Sequence, residues 1–60
     1  MIHYDFRLFN RKGALILLYQ AVCESETQAL ARVESLGSIS YARLELWRGE
    51  SLLAERAGPG

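Results

Sequence analysis

The sequence holds a single cysteine, Cys23, and a single histidine, His3. One cysteine cannot close a disulfide within the chain, and without further Cys or His there is no zinc-ligand spacing anywhere. Charge of one sign is also missing: seven basic and seven acidic side chains, mixed along the chain, cancel. No net field draws the chain to nucleic acid, anionic lipid or an acidic substrate. The longest apolar run, residues 14–19, falls far short of the roughly 20 residues that cross a bilayer. The opening stretch MIHYDFRLFNRKG alternates apolar and charged residues, where a signal peptide has a basic start and an apolar core. The expectation is a cytoplasmic protein with no membrane attachment. No Gly-rich phosphate loop, serine elbow, paired-carboxylate or His-Glu signature is present, so no cofactor is assigned.

Sixty residues make one small domain in which apolar burial and the entropy of ordering the chain come out about equal. Small domains usually escape this balance through disulfides, a metal or self-association, and only the last is open here. A homodimer is therefore expected.

The most explicit local signal is residues 25–36, SETQALARVESL. Ser25 is an N-cap whose hydroxyl can accept from the first turn, with Gln28 placed to reach back as in a capping box. Glu24 and Glu26 lie at the positive end of the helix dipole. Ala29, Leu30, Val33 and Leu36 share one face, and Gly37 suits the left-handed stop. This helix, α1, needs an apolar sheet to lie on.

Residues 2–9 alternate, with Ile2, Tyr4, Phe6 and Leu8 on one side and His3, Asp5, Arg7 and Phe9 on the other; this predicts strand β1. Asn10-Arg11-Lys12-Gly13 suits a hairpin built on a type I turn with Gly13 left-handed. Residues 14–22 form β2, with Ala14, Ile16, Leu18 and Val22 on one face and Leu15, Leu17, Tyr19 and Ala21 on the other. After the helix, residues 39–47 form β3, Arg48-Gly49-Glu50 a short turn, and residues 51–57 form β4. Residues 58–60 are expected as a frayed tail, so the single domain spans 1–57.

A helix crossing after β2 returns β3 parallel to β2, so that β3 can pair antiparallel with β1. The predicted fold is α+β, ββαββ, a four-stranded antiparallel sheet of order 2-1-3-4 with the helix on one face. β2 then becomes an apolar edge. Because the helix covers one face only, Leu15, Leu17 and Tyr19, joined by Phe9, Tyr41 and Trp47, are expected to form an apolar patch on the other. Tyr41 and Trp47 are the large amphipathic rings favoured at contact surfaces. Dimerisation through the β2 edge and stacking of bare sheet faces both remain open, and Trp47→Ala is expected to weaken association.

His3 and Asp5 share a strand face, and Cys23 lies near, but same-face polar neighbours arise on any strand, and a lone cysteine is commonly a small buried apolar residue. No catalytic residue is assigned. Arg11, Lys12 and Arg48 at the hairpin tips are candidate phosphate contacts, but the tips of such a sheet lie at opposite ends, and only a dimer aligns them.

A capped helix with an x-Ala-Leu-Ala centre, then Leu44-Glu45-Leu46-Trp47-Arg48-Gly49 followed by Leu52-Leu53, resembles a set of very short uncharacterised bacterial proteins. Their chains end in a similar Glu-aliphatic-Trp strand, Gly-containing or Asp-containing turn and short aliphatic strand. The resemblance implies the fold and a bacterial origin and brings no activity or site. The ββα opening is also similar to antitoxin-type partial RNase H domains, whose DNA-binding extension has no counterpart here. The expected function is a non-enzymatic homodimeric interaction or accessory protein, with a possible further protein partner. The alternative is a nucleic-acid-binding regulator, and an enzyme ranks third.

Overall fold

A computed structural model describes residues 1–35 and 40–58. These form β1 (Ile2–Phe9), β2 (Leu15–Cys23), α1 (Glu26–Glu34), β3 (Arg43–Arg48) and β4 (Ser51–Ala57). The sheet is antiparallel throughout, in the order β2-β1-β3-β4. The α+β arrangement expected from connection length and handedness is the one present.

Local chemistry explains the turns. In the first hairpin Asn10 Oδ1 accepts from the backbone N–H groups of Lys12 (2.9 Å) and Ala14 (3.0 Å), while the Gly13 N–H donates to the Asn10 carbonyl at 3.0 Å. Gly13 takes φ +83°, the left-handed position expected for it. In the second, Arg48 pairs with Ser51 across Gly49-Glu50. Gly49 at φ +61° occupies the first central position, as a type II′ turn requires.

The helix start is also as expected. Ser25 Oγ accepts from the Gln28 N–H at 3.2 Å, and Gln28 Oε1 accepts at 2.6 Å from Glu24, one residue before the cap. The end comes earlier than the glycine stop predicted it. Glu34 is the last helical residue and Ser35 caps the helix, its N–H and Oγ both donating to the Arg32 carbonyl, at 3.1 and 2.7 Å. A serine hydroxyl that takes up a terminal carbonyl competes with continuation of the helix. Leu36 and Gly37 lie outside the described residues.

One side of the sheet carries the core: Tyr4, Phe6 and Leu8 from β1, Ala21 and Cys23 from β2, Leu44 and Leu46 from β3, with Ala29 and Val33 of the helix. Three sequence expectations are corrected here.

The first concerns β2. Its register opposes Tyr4 to Ala21, Phe6 to Tyr19 and Leu8 to Leu17, and directly opposed residues in a ladder point to the same face. Tyr19 and Leu17 therefore lie on the helix side, not on the bare face. Ile16 is an extra residue at a bulge, so Leu15 instead opposes Phe9 and faces the other way.

The second concerns β3, which begins at Arg43 and not four residues earlier. The chain bends at Ala42. This breaks the alternation and turns Tyr41 into the core, where it is buried. Ile39 lies outside the described residues.

The third concerns Gly58, expected in the frayed tail. Its N–H donates to the Ala42 carbonyl at 2.9 Å, and its Cα packs so closely on the Tyr41 carbonyl and ring that a side chain has no room there. The domain's contacts thus continue one residue beyond 57. Pro59 and Gly60 lie outside the described residues.

Candidate interaction surface

The helix follows β2 directly and packs back along it. Nine helical residues extend about 13 Å, the length of about four strand residues. The cover therefore runs from Cys23 to Tyr19, where Arg32 Nη1 donates to the Tyr19 hydroxyl at 3.4 Å. Beyond it Leu17 is 38 % exposed and the bulged Ile16 47 %, while Leu15 and Leu18, on the face away from the helix, are 51 and 53 % exposed. They stand in sequence on an edge strand, whose outward backbone groups have no neighbouring strand among the described residues. The opposite edge differs, because β4 carries exposed Glu55 and Arg56.

The sheet face away from the helix is largely occupied by its own side chains around β1 and β3. The Arg7 guanidinium lies 4.5 Å from the centroid of Trp47, and the Arg43 guanidinium 4.4 Å from that of Phe9. Glu45 joins the two stacks: its Oε1 accepts from Trp47 Nε1 at 2.9 Å and its Oε2 pairs with Arg43 Nη2 at 3.4 Å. Nearer β2, Asp5 Oδ1 accepts from Gln20 Nε2 at 3.0 Å. Each aromatic ring on this face is already covered by a cation. Leu15, Leu18, Val22 and Leu52 remain exposed at its margins.

The residues singled out from the sequence thus part company. Leu15 and Leu17 are on the exposed edge, though on opposite faces. Tyr19 is half-buried against Phe6 and the helix, Tyr41 is in the core, and Trp47 is half-buried in the cation–aromatic network. Ile16 and Leu18, which the alternation assigned to the helix side, belong to the exposed edge. The signal that identifies them is the run of four aliphatic residues with no polar interruption.

Arg11 and Lys12 are exposed at one end of the sheet. Because Phe9 opposes Arg43 and Asp5 opposes Trp47, β3 runs away from that end and Arg48 lies at the other. One subunit does not bring these three cations together. Cys23 is fully buried on the helix side, opposite Ile2, whereas His3 opposes Val22 on the other face. The sheet itself separates thiol from imidazole, and the Asp5 carboxylate is engaged by Gln20. An open cleft of about 290 Å³ lies at the base of the first hairpin, between Asn10, Arg11, Ile16, Ser40, Tyr41 and Ala42. Among the described residues that line it, Arg11 alone is charged.

The chain matches no family model, no curated protein and no solved structure. No helix among the described residues is long and apolar enough to cross a membrane.

Proposed function

We propose that this chain is a homodimeric interaction protein without catalysis of its own, whose copies join along the β2 edge. The observation that carries the reading is the unbroken exposure of Leu15, Ile16, Leu17 and Leu18 on an edge strand. Natural edges of this kind are normally blunted by charge, proline or a covering element, and the helix stops short of this one. Pairing with a second copy satisfies the free backbone groups and removes the aliphatic side chains from water in one step. Edge pairing is favoured over stacking of sheet faces because the face away from the helix is crossed by the Arg7–Trp47–Glu45–Arg43–Phe9 network. Stacking would desolvate those charges. The separation of Cys23 from His3 supports the non-catalytic part of the reading.

The test is molar mass by sedimentation across a wide concentration range, for the natural chain and for the double variant Ile16→Lys, Leu18→Lys. The natural chain is expected at twice its 6.8 kDa mass, and the double variant as a monomer with an unchanged far-UV circular dichroism spectrum. A natural chain that stays at 6.8 kDa, or a variant that dimerises equally well, overturns the reading.

A further inference from the structure

The β2 edge is bounded by opposite charges. Arg11 and Lys12 precede it in the hairpin turn, Glu24 and Glu26 follow it, and all four are exposed. The strand between them, Leu15–Cys23, has no charged residue. An edge with a basic start and an acidic end is complementary to itself in one orientation only.

We infer that two copies pair antiparallel through β2, with the basic turn of each seated beside the acidic strand end of the other. The inference rests on the edge-dimer reading and specifies its orientation and register. A two-fold axis through Leu18 places Leu17 opposite Tyr19 of the second copy, and both lie on the helix side, so the faces match across the junction. The bulge at Ile16 then brings Leu15 opposite Gln20 of the other copy, and Arg11 and Lys12 alongside its Glu24. The same contacts form again on the far side of the axis. Parallel pairing places Arg11 and Lys12 of both copies together, and both acidic ends together, which charge repulsion opposes. Pairing of β2 with the β4 edge of another copy does not close on itself and leads to open filaments; the exposed Glu55 and Arg56 on β4 discourage it.

The occupant of this edge is therefore a second copy of the same chain, chosen by apolar contact and oriented by charge. The resulting eight-stranded sheet carries both helices on one face. It also places Arg48 of one copy at the same end as Arg11 and Lys12 of the other, with Glu24, which follows β2, in between. The basic tips are thus neutralised by the dimer that aligns them, which disfavours their use on phosphates.

Two measurements test this. In the natural chain, raising sodium chloride from about 50 to about 500 mM is expected to weaken dimerisation about fivefold, because it screens attractive pairs. An unchanged or tightened dimer overturns the inference. The second uses charge reversal: Arg11→Glu with Lys12→Glu in one variant, Glu24→Lys in another. Each alone places like charges at both ends of the junction and is expected to dimerise at least about tenfold more weakly than the natural chain. Mixed in equal amounts, they are expected to form a heterodimer of near-natural affinity. Variants that each self-associate like the natural chain, or a mixture that shows no recovery, overturn the register while leaving an edge dimer standing. A natural chain that never dimerises removes the edge reading and this inference with it.

Discussion

Phe6 and Tyr19 face each other across β1 and β2 with ring centroids 5.5 Å apart and planes tilted by 52°. This pair assigns β2's faces: it seats Tyr19 under the helix, beside Arg32, and thereby sends Leu18 and Val22 to the other side. Tyr19→Ala is expected to lower stability by about 2 kcal/mol through loss of a partly buried ring. Tyr19→Phe keeps the ring and loses only the 3.4 Å contact with Arg32, so a change of about 0.5 kcal/mol or less is expected. Urea unfolding of the two variants checks this; equal, negligible effects would put Tyr19 on an uncovered surface.

Trp47 separates edge pairing from face stacking. Its ring is held by Arg7 and its indole N–H by Glu45. Trp47→Ala is expected to cost about 1 kcal/mol of stability through the lost cation–aromatic and cross-strand contacts, with dimerisation intact. A monomeric but folded variant would place the interface on the sheet face.

Gly58 and Gly13 are required for different reasons. A methyl group at Gly58 collides with the Tyr41 carbonyl and ring, so Gly58→Ala is expected to destabilise by about 2 kcal/mol, as overpacking does. Gly13 has open space around its Cβ position but a φ of +83°, so Gly13→Ala is expected to cost about 1 kcal/mol from backbone strain alone. Thermal unfolding compares them, and a Gly58→Ala variant as stable as the parent would show that the chain end does not pack on Tyr41.

Cys23 is fully buried. A thiol-specific reagent is expected to label it only as fast as the protein opens, and at once in concentrated denaturant. Labelling of the folded protein at the rate of a free thiol would contradict its place in the core.

Loss of the helix cap is expected to be felt throughout so small a domain. Ser25→Ala removes the acceptor for the Gln28 N–H and is expected to cost about 1 kcal/mol. Ser25→Asp, which restores an acceptor and adds charge at the positive end of the helix, is expected to recover that loss. Denaturant titrations of both variants decide the point; an Ala variant as stable as the parent would show that the cap contributes nothing.

Much of the scaffold was legible in one dimension. β1 and β4, the Ser25 cap, the left-handed Gly13 and the 2-1-3-4 strand order follow from alternation, capping chemistry and the handedness of a crossing helix. These signals are local, or depend only on how far a short connection reaches. The candidate surface was legible only in part. That β2 is an exposed apolar edge follows from its composition and its place in the strand order, but its faces do not, because alternation identifies a face only where the other one is polar.

What the sequence by itself determined is therefore the elements, their order, and the presence of one strand apolar on both faces, of which a helix on one side of the sheet can cover only one. Tertiary structure alone decided the rest. Register against β1 took Tyr19 and Leu17 to the helix side, the bulge at Ile16 separated Leu15 from Leu17, and the bend at Ala42 drew Tyr41 into the core. Pairing of β1 with β3 brought Arg7 over Trp47 and Arg43 over Phe9. Each of these depends on which residue of one strand lies opposite which residue of another. Such a relation is set by the summed packing of the whole sheet, and no single segment encodes it.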